Sequence, residues 1–174
     1  MPQIMSTIQS PDFSVYKAPE LPNKEVGVSV FLSGSIEMGK ASEWQVYLTS
    51  TLSDLPITVF NPRGDDWSLK WEQDISNPKF KEQVVWEMDR LNEVDVIALY
   101  FEPGTTSPIS LLQLGKYASS GRLVVCCPEG FWKRGNVQVT CELDGVPLVE
   151  TMEELKLHTR KRLEEAIEKL PIPS

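Results

Sequence analysis

Three polar segments of the sequence, residues 33–39, 61–71 and 102–113, carry side chains able to act on a small polar molecule. In the first, Ser33-Gly34-Ser35 leads through Ile36, Glu37 and Gly39 toward a helix. Small residues at such a place let backbone N–H groups approach a sugar or phosphate oxygen. A plain tight turn explains the same residues, and on this segment alone it is the favoured reading. In the second, Asn61, Arg63, Asp65 and Asp66 accompany Trp67 and Trp71. Indole faces stack on nucleobases, and Arg or Asp grips a base edge or a ribose. Two Trp rings that only pin the loop to the domain fit equally well. In the third, Thr105-Thr106-Ser107-Pro108 opens an apolar run that carries Gln113 and then Gly115. A glycine inside a helix costs about 1 kcal/mol against Ala, so Gly115 points to close packing or to a pocket that needs the room.

The elements that must position these segments follow from periodicity. Residues 26–32, 57–61, 94–101 and 122–128 are short, near-continuous apolar runs of the kind that form parallel strands buried on both faces. Helices are expected between them. Residues 41–52 have a loose amphipathic pattern, and Asn77-Pro78 is an N-cap followed by a first-turn proline. In the helix after Asn77, the residues Phe80, Val84, Met88 and Leu91 form one stripe, with Glu82, Trp86, Asp89 and Glu93 opposite. Asp89 therefore sits beside Trp86 and Val85, unusual company for a solvent-facing carboxylate, and suggests a partner or a pocket. Asp95 reads as a structural cap. Ser107-Pro108 repeats the start signal before residues 109–120, and Gly121 supplies the stop. Residues 137–142 and 146–149 read as strands flanking an Asp144-Gly145 turn, and Thr151 with Glu154 forms a capping box for a last helix to about Lys169.

Alternating strands and helices imply right-handed crossovers and an α/β sandwich, flavodoxin-like or Rossmann-like, with a five-stranded, mostly parallel sheet. The strands over 26–32 and 94–101 are expected side by side at its centre. Ligands in such folds bind beyond the carboxyl ends of the strands, where all three polar segments fall. Residues 1–25 read as a flexible or draped N-terminal arm, and residues 26–174 as one domain.

A formal charge of −8 over 174 residues argues against nucleic acid or an anionic membrane as the main partner. No apolar run approaches the roughly 20 residues that span a bilayer, and no secretory leader is apparent. Three Cys cannot all pair, which fits reduced thiols in the cytoplasm, and the one His, His158, lies far from any Cys, so neither a metal nor another cofactor is expected.

Taken in order, FLSGSI, NPRGDDW, the helix segment Trp86-Glu87-Met88-Asp89, VDVI, SPISLLQLGKYA and VVCCPEGFWKRGNV resemble the nucleoside 2-deoxyribosyltransferases and their nucleoside or nucleotide N-glycohydrolase relatives, over roughly residues 26–155. The resemblance implies a glycosyltransferase or N-glycosidase. A Glu immediately before Leu-Gly attacks the anomeric carbon, expels the base and leaves a glycosyl ester, which a second base or water then resolves. Here that position is Gln113, whose amide is a poor nucleophile. Glu-to-Gln is nearly isosteric and inactivating. It fits a change introduced to hold substrate, which is favoured, or a homologue that has become a non-catalytic binder. A Glu at this position, on the second turn of its helix, would be kept ionised by the helix dipole. By the same resemblance Asp89 orients the nucleophile or base, and Ser33, Gly34 and Ser35 lie near the sugar. Asn136 is implied to reach a neighbouring subunit's site, which makes the active unit at least a dimer. Phe31 replaces a frequent Tyr, and only Thr106 or Ser107 stands where the transferases have an Asp upstream of the nucleophile. With no Arg near residues 33–35, free nucleosides are favoured over 5′-monophosphates.

Overall fold

A computed structural model describes residues 8–37, 40–64 and 72–173. At its centre is a six-stranded sheet in the order β1-β3-β2-β4-β5-β6, every neighbouring pair parallel. The strands are β1 (Ser14–Lys17), β2 (Ser29–Gly34), β3 (Thr58–Asn61), β4 (Val96–Tyr100), β5 (Leu123–Cys126) and β6 (Leu148–Val149). The helices are α1 (Trp44–Thr51), α2 (Pro78–Glu93), α3 (Pro108–Tyr117), α4 (Arg134–Asp144) and α5 (Met152–Glu168). As the periodicity predicts, β2 and β4 lie side by side in the middle of the sheet.

The alternation of side chains along each strand builds two cores. Val30 and Leu32 of β2 join Leu48 of α1 and Leu155 and Leu163 of α5 on one face. Phe31 joins Trp86 and Leu91 of α2, Leu114 of α3 and Val137 of α4 on the other. Each such Leu or Phe is worth about 1.5–3 kcal/mol when fully buried, so both faces of the sheet must be covered. Cys126, Cys127 and Cys141 are buried and unpaired, and burial pushes their thiols up, Cys126 to about 12 and the others to about 11. No helix among the described residues is long and apolar enough to cross a membrane.

Several local expectations hold. The Asn77 side chain accepts from the amides of Lys79 and Phe80, Pro78 opens α2, and Thr151 with Glu154 closes a capping box on α5. Asp95 is structural, its carboxylate accepting the Ser29 N–H at 2.9 Å.

Four expectations are corrected. The sheet has six strands rather than five, because Ser14–Lys17, inside the expected arm, pairs with β3 as an edge strand. The Trp86 indole N–H then donates to the Glu20 carbonyl at 2.7 Å, so Trp86 is buried core rather than part of a polar helix face. Residues 137–142 form helix, not strand. Val137 and Cys141, four apart, are both buried, and Gly145 at φ 64° is the left-handed residue that ends α4 rather than a hairpin turn. Finally, Gly115 is exposed, and a Cβ built on it would meet nothing within 4 Å. Among the described residues, neither close packing nor a pocket explains it. Gly115→Ala is accordingly expected to raise stability by about 0.5–1 kcal/mol, measured by urea unfolding with an unchanged m value.

Candidate active site

The carboxyl end of β2 sets the site. Alternation places Ser33 on the same sheet face as Phe31, toward α2 and α3, and its hydroxyl donates to Gln113 Oε1. Gln113 Nε2 donates in turn to Glu87 Oε2 at 3.2 Å. The other oxygen of Glu87 accepts from Gln83 Nε2 at 3.0 Å, and that amide also reaches the Pro62 carbonyl at 3.2 Å. Thus β2, α2 and α3 are joined by one chain of polar contacts, Ser33–Gln113–Glu87–Gln83. Burial pushes the Glu87 carboxyl up to about 7, against the pull of the two amide donors. An ionised carboxylate is disfavoured where water is excluded, and the amides compensate only in part.

This chain lies against a cavity of about 500 Å³, a volume in the range of small-molecule sites. Phe80, Val84 and Met88 of α2 and Ile109 and Leu112 of α3 make its apolar walls; Gln83, Glu87 and Gln113 are the polar groups that α2 and α3 bring together in it, and Glu37, Thr106 and Ser107 line it where α3 begins. The Phe80–Val84–Met88 stripe therefore faces the cavity rather than the packed interior, while Leu91, further along, is fully buried.

A second polar knot lies where α3 begins. The Ser35 hydroxyl accepts the Glu102 N–H at 2.8 Å and contacts the hydroxyls of Thr105 and Ser107 at 2.9 and 2.6 Å. Ser107 has a left-handed backbone, φ 43°, and its side chain turns to Ser35 instead of capping α3 as expected. Glu37 fastens the turn that leads into α3, its Oε1 accepting the backbone N–H groups of Thr106 and of the N-cap residue Ser107 at 2.8 and 2.7 Å. These bonds, led by that from Ser107, hold its carboxyl below the usual carboxylate range. Gly34 lines the cavity and permits the close approach of β2 to β4. Its φ is 148°, and a Cβ there would collide with the Tyr100 carbonyl oxygen and come within 2.9 Å of the Trp44 ring.

Of the residues singled out from sequence, Ser33, Gly34 and Gln113 are brought together. Asn61 is buried and turns its side-chain oxygen to the Arg63 N–H at 2.9 Å. Arg63 donates to the carbonyls of Ser42 and Ala41 at 2.7 and 2.9 Å, holding the segment before α1. Asp89 is exposed on α2 and does not line the cavity; Glu87, two residues earlier, takes the place beside Gln113. A shift of two residues turns the helix by about 200°, so only one of these carboxylates can face α3. Asn136 is exposed in the first turn of α4 and is not among the cavity residues. Trp67 and Trp71 lie outside the described residues.

The stripe named from sequence, Phe80, Val84, Met88 and Leu91, left out Gln83 and Glu87. Positions 80, 83, 84, 87 and 88 form one helix face by the i, i+3, i+4, i+7, i+8 rule. Two polar residues, four apart within an otherwise apolar face, were the available sign that this face lines something other than core.

A parallel doubly wound sheet thus carries a cavity at its carboxyl edge with a carboxyl–amide pair inside, the place where ligands bind in open α/β sheets. A family model described as nucleoside 2-deoxyribosyltransferase like matches residues 27–131, more than half of the chain, and the chain belongs to that family. The fold is also similar to the crystal structure of a conserved protein from Enterococcus faecalis V583, with a TM-score of 0.55 and 14% identity over 83% of this chain and 99% of that one. No curated protein matches the chain.

Proposed function

We propose that this chain binds a nucleoside in the cavity between α2 and α3, with the anomeric carbon presented to Gln113, and that the missing carboxylate at this position holds glycosidic cleavage off. The observation that carries this reading is the polar chain Ser33–Gln113–Glu87: a carboxyl held near neutrality touches the side chain that stands at the family's nucleophile position. An amide carries no charge to stabilise an oxocarbenium-like centre and is a poor attacking group, while shape and hydrogen bonding survive the change. With a Glu in place of Gln113, the chemistry would be that of a deoxyribosyltransferase or N-glycohydrolase, passing through a glycosyl ester. Trp67 and Trp71 are the groups proposed to stack on the base, and Asn136 the one offered to a second copy.

A second reading rests on Glu87 alone. A carboxyl that titrates near 7 takes a proton from water at neutral pH as readily as it delivers one to a leaving base. Direct hydrolysis without an ester is then open to the chain as it stands.

The binding claim is tested by equilibrium titration of the chain with deoxynucleosides and ribonucleosides, with light scattering at the same concentrations. The expected result is saturable binding by an oligomer, weakened by at least tenfold in Phe80→Ala, which removes a cavity wall. Absence of binding across the panel would remove the nucleoside reading, and a monomer would remove the role given to Asn136.

A further inference from the structure

The end of the cavity beside α3 is already occupied by a negative charge belonging to the chain. Glu37 stands at φ 47° and directs Oε1 to the N–H groups of Thr106 and Ser107 and to the Thr106 hydroxyl at 3.1 Å. Ser107 is the N-cap of α3 and Thr106 the residue before it, so these two amides and the Thr106 hydroxyl are donors at the entry to the helix, where the chain could otherwise hold a phosphate or carboxylate of a ligand. Glu37, Thr106 and Ser107 all line the cavity, as does Glu87, and none of the described residues lining it is Lys or Arg. Arg63, the cation nearest in sequence to the cavity-lining Pro62, is engaged with the carbonyls of Ala41 and Ser42.

We propose that Glu37 is a specificity residue: its carboxylate fills the anion position at the start of α3 and makes the cavity select uncharged nucleosides over their 5′-monophosphates. A phosphate brought to this end would have to displace Glu37 from three hydrogen bonds or lie against it as a like charge, with Lys40, which lines no part of the cavity, the one described cation whose charge reaches that carboxylate. An uncharged 5′-hydroxyl meets neither obstacle and can donate to the carboxylate. This inference rests on the nucleoside reading above for its substrate, but not for the anion position itself.

The test compares the parent, Glu37→Ala and Glu37→Gln at constant ionic strength. Binding is titrated with deoxynucleosides, with their 5′-monophosphates and with inorganic phosphate alone, and the Thr106 and Ser107 amides are followed by NMR. The parent is expected to prefer nucleosides at least tenfold, and Glu37→Ala to shift that ratio tenfold or more toward monophosphates. Glu37→Gln, which keeps the shape and an acceptor oxygen, is expected to fall between them and guards against loss of the loop in the Ala variant. Inorganic phosphate should move the two amide signals in Glu37→Ala and leave them unmoved in the parent. Parent binding of monophosphates as tight as of nucleosides, or an unchanged ratio in both variants, would overturn the proposal. If no nucleoside binds but phosphate moves those amides only in Glu37→Ala, the anion position stands and the nucleoside reading falls. If phosphate moves them equally in parent and variant, Glu37 does not occupy the position.

Discussion

On the proposed reading, Gln113→Glu is expected to release free base from deoxynucleosides roughly 10³-fold faster than the parent chain, since it supplies an attacking carboxylate beside Glu87. An oxygen of the introduced carboxylate would form a bond to the anomeric carbon as the C–N bond breaks, with the electrons of that bond leaving on the base. A proton for the base is available from Glu87, and water or a second base then opens the ester. Gln113 Nε2 lies 3.2 Å from Glu87 Oε2, so the variant would set two carboxyl groups in contact. They cannot both ionise, and the pair should share one proton, titrating in two separated steps. Base release should therefore be bell-shaped in pH, with the singly protonated pair active. In the parent the amide donor removes this conflict. A rise in activity without a bell would mean that Glu87 is not coupled to position 113.

Glu87→Gln carries the second large effect. In the Gln113→Glu background it should lower base release by about 10²–10⁴-fold, the usual contribution of a positioned acid or base, with a smaller change in KM. In the parent it should alter the pH dependence of stability. The folded-state pKa of Glu87 is raised from 4.5 to about 7 by burial, so the folded state holds its proton over a range where the unfolded chain has lost it. Its contribution is fully present below pH 4.5 and is lost as pH rises through 7. Parent stability should fall across that window by on the order of 2 kcal/mol relative to Glu87→Gln, allowing for water in the cavity. Urea midpoints from about pH 4 to about pH 8, a range that brackets the shift, measure this. Parallel curves for the two proteins would show that Glu87 is not held protonated. If the parent itself releases base slowly, with a rate that rises as Glu87 ionises, direct hydrolysis is favoured over the ester.

The frame of the molecule was legible because it depends on repeated, local patterns. Val30, Leu32, Val96 and Ala98 are apolar whichever face they meet, so the buried parallel strands stood out, and Asn77-Pro78 and Thr151–Glu154 marked two helix starts without reference to tertiary contacts. What failed depended on choices between local conformations. Asp144-Gly145 serves a hairpin or a helix end equally well, and only the burial of Val137 and Cys141 decides for α4. Ser14–Lys17 is too short to read as a strand until β3 is beside it. Ser33, Gly34 and Gln113, singled out where loop chemistry and the family pattern coincide, lie together in the structure. Glu87 drew no notice, because the charged side of the helix pointed to Asp89, while Glu87 lies between Gln83 and Met88 on the face of the Phe80 stripe. The contact of Glu37 with the entry to α3 was invisible, since it lies 69 residues from Thr106.

On the reading proposed above, position 113 faces the anomeric carbon of a bound nucleoside and lacks only a carboxylate. Intact-protein mass spectrometry after brief incubation with deoxynucleosides tests this most directly. Gln113→Glu should gain the mass of one deoxyribosyl group, mapped by peptide analysis to the substituted residue, while the parent gains none. A sugar adduct on the parent, or free base released by Gln113→Glu with the adduct on Glu87 or Glu37 instead, would contradict the account.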